Sequence, residues 1–164
     1  MKSVAADSSH SLGDYFYDAL LVGGIGGGLI ALFFLAFDSL VHGEAFLTPT
    51  LLGKVLFERV APDSVRTADM MAVARFSVVH FAGFSLLGLG ISFVVHRAAI
   101  LERHALLVIA LVFAVLEIVS WLAITLVLPG VMQRLGYLPV AAANLVAAAG
   151  VGAFFIVAHR PSRS

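Results

Sequence analysis

The run LLVGGIGGGLIALFF, residues 20–34, sets five glycines among aliphatic and aromatic residues. Read from Gly26, its letters fit the loose dinucleotide fingerprint G-x-G-x-x-(G/A), with Ala31 in the last place. That fingerprint needs a strand before it, a helix after it and a carboxylate roughly 20 residues on. Its glycines must also turn backbone N–H groups towards a pyrophosphate. Here they lie inside an uncharged stretch from Ala19 to Phe37. That stretch is about 19 residues, the length that crosses a hydrocarbon core as a helix. A phosphate there would have neither water nor a cation beside it, so the run reads as a membrane span.

The rest of the chain agrees. Of 164 residues, 61% are hydrophobic and 12% charged, against about 25% charged in soluble domains. The mean hydropathy is +1.05. Lys plus Arg balance Asp plus Glu at ten each, so no basic field points to nucleic acid. The chain has no cysteine, which excludes thiolate metal sites, iron–sulfur clusters and disulfides. The start, MKSVAADSSHSLGDYFYD, is polar and lacks the features of a cleavable signal.

Three more apolar runs follow, giving expected spans over 19–41, 72–95, 105–128 and 138–158. In lipid each must be helical, because its backbone groups have to be satisfied internally. The expected fold is an all-α integral membrane protein, an antiparallel four-span bundle with both termini on one side. Short links join spans two and three, and three and four, and predict that these pairs pack as antiparallel neighbours. The link from Asp38 to Arg75 is longer. In LTPTLLGKVLFERV, Thr48 is expected to cap a helix beginning at Pro49. Over 49–60 its apolar residues share one face, which predicts an amphipathic interfacial helix, with a loop helix packed on the bundle as the alternative. Ser64 or Thr67 is expected to start the helix of span two. Arg97 and Arg103 in the short two–three link, with Arg160 and Arg163 in the tail, favour cytoplasmic termini.

Gly23 with Gly27, and Gly24 with Gly28, form two overlapping small-xxx-small frames. Such frames let a helix backbone approach closely in lipid. Ala143, Ala147, Ala148 and Gly152 in span four offer a matching surface, so span one is expected to pack on span four. A contact with another subunit is the alternative.

Polar residues inside spans are costly and mark candidate sites. At a rise of about 1.5 Å per residue, Asp38 lies about 12 Å outward of the centre of span one, with His42 a turn beyond. His80 lies about 9 Å outward on span two, and Asn144 about 6 Å outward on span four. Glu117 is near the middle of span three, with Ser120 a turn outward. All four spans thus place a polar group in the half away from the termini. Asp38, His42, His80, Glu117 and Asn144 are the candidate cluster. Asp38, His42, His80 and Glu117 are also the candidate metal ligands. A hydrogen-bonded network is the simpler reading, with His80 satisfied by Glu117 or Asn144 and Asp38 exposed at headgroup level. The spacing fits neither Glu-x-x-His di-iron bundles nor a bis-histidine haem. No nucleophile–base pair stands out.

FFLAFDSLVHGEAFLTPTLLGKVLF (33–57) followed by VVHFAGFSLLGLG (78–90) resembles a group of small bacterial four-span proteins of unknown function. The resemblance implies a bacterial inner-membrane location. It also implies that Asp38, Pro49, Gly53 and His80 belong to one constellation.

These readings lead first to an accessory or structural subunit of a larger membrane assembly, partnered by membrane lipids and by other subunits or a second copy. The second reading is a protein that binds a lipid, quinone, metal or haem through the polar cluster. A transporter is the third; no inverted repeat or charged pore ring supports it.

Overall fold

The structure is a computed structural model, and it describes residues 12–97 and 104–158. Among these residues every regular element is helical. Helix α1 (Leu12–Phe37) continues into a wider π turn (Asp38–His42) that stops at Gly43, whose φ of 70° ends the helix. Helix α2 is Leu47–Glu58. A short 3₁₀ turn (Pro62–Ser64) leads to α3 (Met70–Arg97). Then come α4 (Ala105–Val127), the short α5 (Val131–Leu135) and α6 (Tyr137–Ala158). Four helices are long and apolar enough to cross a membrane, over Ala19–His42, Met70–Val95, Leu106–Val127 and Tyr137–Val157. By length and composition they are those of an integral membrane protein. Of the four arginines that bear on orientation, Arg103, Arg160 and Arg163 lie outside the described residues.

The packing order differs from the order in sequence. Helix α1 packs on α3 and on α6, and α6 packs on α4. Spans three and four are therefore direct neighbours, as their short link requires. Spans two and three are not extensively packed. They share the core in which Ile91 and Val95 of α3 cluster with Val108, Val112 and Leu116 of α4, and with Val22 and Val151. A short link fixes where two helices meet, but packing along their length depends on which side chains let the backbones close.

The glycines explain the choice. A Cβ at Gly23 would lie 2.5 Å from the Phe84 carbonyl oxygen and 2.8 Å from Ser85 Cα. Gly27 lies against Phe84 and His80, and Gly88 of α3 in turn abuts the Ala19 carbonyl. Glycines on both helices make a reciprocal seam, and at Gly23 and Gly88 the facing backbone leaves no room for a larger residue. The frame expected to receive span four thus receives span two. Span four meets span one elsewhere, with Leu29 and Ile25 over Gly150, while Gly152 meets Ile109 of α4. The second frame behaves differently: a Cβ at Gly24 or Gly28 would meet nothing within 4 Å among the described residues.

The far end of the bundle is closed by the long link. Leu51 and Val55 of α2 enter a core with Phe34, Ile124, Val131 and Val140. Gly53 lets α2 sit directly on the backbone of Ala72 at the start of α3. The α3 helix starts at Asp69 rather than at Ser64 or Thr67: Asp69 Oδ1 accepts the amides of Met71, at 3.0 Å, and Ala72, at 3.2 Å. The Asp69 amide donates to the Thr50 hydroxyl at 3.0 Å, and Lys54 Nζ lies 2.9 Å from Asp69 Oδ2. Arg134 fastens the other side, donating to the Val65 carbonyl at 3.2 Å with Asp63 3.6 Å away.

Candidate functional site

The five polar residues singled out in the sequence divide into separate groups. Asp38 is fully buried (0% exposed), so the expected exposure at headgroup level is overturned. Its role follows from the start of α2. Helix N-termini leave N–H groups without intrahelical acceptors. The residue before α2 is Phe46, held at a φ of 68°, and its side chain offers no oxygen. The Leu47 amide reaches the Glu44 carbonyl at 3.3 Å, Pro49 has no N–H, and the Thr50 amide reaches the Phe46 carbonyl at 3.0 Å. That leaves Thr48. Its amide donates to Asp38 Oδ2 at 2.6 Å and its hydroxyl donates to Asp38 Oδ1 at 2.7 Å. Thr48 is therefore inside the helix, and the cap comes from Asp38, ten residues earlier. A carboxylate at a helix N-terminus also meets the favourable end of the helix dipole.

His42 lies close by but is not buried with Asp38. It is exposed, with its ring edge-on to Phe37 at a centroid separation of 5.6 Å. His80 turns the other way, into the α1–α3 seam. Its Nε2 lies 3.0 Å from the Gly27 carbonyl oxygen, which fixes Nε2 as the protonated nitrogen. The absence of a Cβ at Gly27 brings the ring this close. Phe76, Phe81 and Phe84 surround it, with Phe84 nearest at a centroid separation of 4.7 Å. His80 is thus satisfied by a backbone carbonyl and not by Glu117 or Asn144.

Glu117 and Asn144 pair with each other instead. The Asn144 amide nitrogen donates to Glu117 Oε1 at 2.8 Å and to Ser120 Oγ at 3.3 Å. Asn144 is only 2% exposed. Ser120 completes this group, which the sequence placed one turn from Glu117. Among the described residues, no three His, Cys, Asp or Glu side chains come together as metal ligands. Asp38, His42, His80 and Glu117 thus form no common centre.

What joins His80 to Asn144 and Ser120 is a cleft. Along α3, Phe76, Val79, His80, Gly83, Phe84 and Leu87 recur at helical spacing and face Leu116, Val119, Ser120, Ala123 and Ile124 of α4. Between these two faces lies a mainly apolar space of about 230 Å³, with Asn144 in its wall. A second groove of about 190 Å³ adjoins it beneath the start of α2 and shares Ile30, Phe34, Leu52, Phe76 and His80 with it. Thr48 and Pro49 border this second groove together with His80. Three of the regions singled out by the resemblance therefore meet around it: Pro49 and His80 directly, and Asp38 through Thr48. Gly53 serves the α2–α3 contact.

The cleft was not legible in the sequence, although its signal is present. The α3 and α4 faces each repeat at three and four residues, as a packed interface does, yet small Gly83 and Ala123 stand where larger residues would fill the gap. No protein-family model matches the chain, and no curated protein or solved structure matches it.

Proposed function

We propose that this protein is a four-span antiparallel bundle of the bacterial cytoplasmic membrane, with α2 at the membrane interface, that binds a lipid-soluble molecule in the cleft between α3 and α4. One observation carries the reading. Two spans that face each other across matching helical faces leave space between them, and that space is bordered by polar side chains. A polar group in hydrocarbon is costly and is usually enclosed by packing. Here Asn144 and Ser120 border a cavity instead. Cavities of this kind, apolar with a few convergent polar groups, are the common form of small-molecule sites.

The second reading, an accessory subunit, draws on the Gly24–Gly28 face. It is a close-packing frame with no neighbour among the described residues. Native mass spectrometry of the protein released gently from its own membranes separates the two. A single chain or homo-oligomer carrying one extra small mass, lost on widening or filling the cleft, supports the binding reading. Other polypeptides in the particle, with no bound small molecule, support the subunit reading and count against the cleft.

A further inference from the structure

We propose that the cleft selects a long apolar chain whose head is uncharged and carries a hydroxyl group; this rests on the cleft reading above and specifies its ligand. The hydrogen-bonding capacity of the walls is the basis. The Nε2 proton of His80 is committed to the Gly27 carbonyl. In a neutral imidazole the remaining nitrogen, Nδ1, is then an acceptor. The amide nitrogen of Asn144 is committed to Glu117 and Ser120. The carbonyl oxygen of Asn144 accepts no hydrogen bond among the described residues, and it is not a sealed atom. Ser120 accepts from Asn144, so its own O–H remains a donor. Ser39, Ser77 and Ser85 instead donate to the carbonyl four residues back.

The cleft therefore offers acceptors and one hydroxyl donor, and no Lys or Arg lines it. A phosphate or carboxylate head would enter as an unpaired charge in a medium of low dielectric, which is strongly unfavourable. An ester, ether or ketone brings acceptors only and leaves the Asn144 oxygen unpaired. A hydroxyl donates to Asn144 Oδ1 or His80 Nδ1 and accepts from Ser120. It satisfies both kinds of group with one atom pair. The chain attached to it has an apolar path in the adjoining groove by Ile30, Phe34, Leu52 and Phe76.

The test is saturation binding to the full chain in lipid nanodiscs, with three radiolabelled probes of equal chain length: a long-chain primary alcohol, its methyl ether and its phosphate monoester. The alcohol should bind saturably. The ether should bind roughly tenfold more weakly, the usual worth of a buried hydrogen bond left unmade. The phosphate should show no saturable binding. Ser120→Ala and Asn144→Leu should each reduce the alcohol-to-ether preference, and Ser120→Ala, which leaves the Glu117–Asn144 bond in place, keeps the test open if Asn144→Leu fails to fold. Equal binding of alcohol and ether, or strongest binding of the phosphate, overturns the hydroxyl assignment while leaving a binding cleft. Saturable binding of none of the three overturns the cleft reading as well.

Discussion

Helix α3 presents two faces that meet their neighbours in opposite ways. Towards α1 it closes until backbones touch: Gly88 abuts the Ala19 carbonyl, and Gly23 of α1 abuts Phe84 and Ser85. Towards α4 it presents a face of similar spacing but stands off, leaving about 230 Å³. The covalent connection favours the second pair, since the link between α3 and α4 is short and that between α1 and α3 is long. The packing favours the first. In lipid no hydrophobic effect draws two apolar faces together, so association follows dispersion contacts and interhelical hydrogen bonds. The α1–α3 face has both, in its glycines and in the His80–Gly27 bond. On the α3–α4 face the polar group of α4 is turned to α6, through Glu117 and Asn144.

The comparison breaks most readily at the closed face. Gly23→Val puts side-chain carbons where the backbone of Phe84 and Ser85 already lies. Backbone cannot rotate away as a side chain can, so this change should cost about 3 kcal/mol, at the upper end for overpacking. At Gly24, one residue on, an added Cβ meets nothing within 4 Å among the described residues, so Gly24→Val has open space before it. It should leave the monomer almost unchanged. Thermal unfolding of the two variants in the same detergent reads the contrast. Equal loss in both would mean that the seam is not where the helices are held. If Gly24→Val leaves the fold intact but alters the particle mass, the open frame is a contact to another chain.

The next largest effect lies at the capped end. Asp38→Ala leaves the Thr48 amide and hydroxyl without their acceptor in a fully buried place. The expected loss is about 2 kcal/mol, the range for bonds to a charged group. Thr48→Val removes only the hydroxyl bond and should cost about 1 kcal/mol. Because both changes act on one interaction, their double mutant should lose less than the sum. Additive losses in denaturant unfolding would show that Asp38 does not hold α2 through Thr48.

A third experiment addresses the polar layer beside the cleft. The sequence alone leads one to expect coupling between His80 and Glu117. The structure gives them different partners, Gly27 and Asn144. Hence Glu117→Ala and Asn144→Ala should be coupled by about 1 kcal/mol, typical of interhelical hydrogen bonds in membranes. His80→Ala and Glu117→Ala should be additive. Coupling in the second cycle and not in the first would mean that the cleft closes and brings His80 to Glu117.

These outcomes mark how far the sequence could be read. The spans were legible because uncharged runs of the required length have one physical solution in lipid. The polar residues were legible as candidates because each is expensive where it stands. The partner of each was not. Nothing local distinguishes Gly23 from Gly24, and only the presence of Gly88 and Phe84 across the seam makes one closed and the other open. Thr48 before Pro49 has the form of an N-cap, and Thr67 stands one turn before the apolar run of span two. In the structure Phe46 takes the capping position of α2 and Asp69 that of α3. The need for an acceptor was predictable at both places. Which oxygen supplies it depends on tertiary structure for α2, where Asp38 is ten residues away. For α3 the acceptor is local, because Asp69 directly precedes the run.

The smallest effect separates the exposed ties of the link from its buried ones. Lys54 beside Asp69 holds that carboxyl below its ordinary value of 3.8, with further help from the Ala72 amide. In turn the Asp69 hydrogen bond holds Lys54 above its ordinary 10.5. A carboxyl with a depressed folded pKa contributes stability above its unfolded pKa, and that contribution is lost as pH falls through the folded value. A lysine with a raised folded pKa contributes below its unfolded pKa, and loses that contribution as pH rises through the folded one. Between these limits the pair's contribution is constant. Both groups are solvent-accessible, and such pairs are weak and screened by salt. Lys54→Met keeps the apolar stem of the side chain and removes the charge. The wild type should therefore melt slightly higher than Lys54→Met across the neutral range, and the gap should close in acid below 3.8 and in high salt. A gap that persists in acid would show that it does not come from the Lys54–Asp69 ion pair. The α2–α3 contact would then rest on Gly53, Thr50 and the Asp69 cap, with no share for the ion pair.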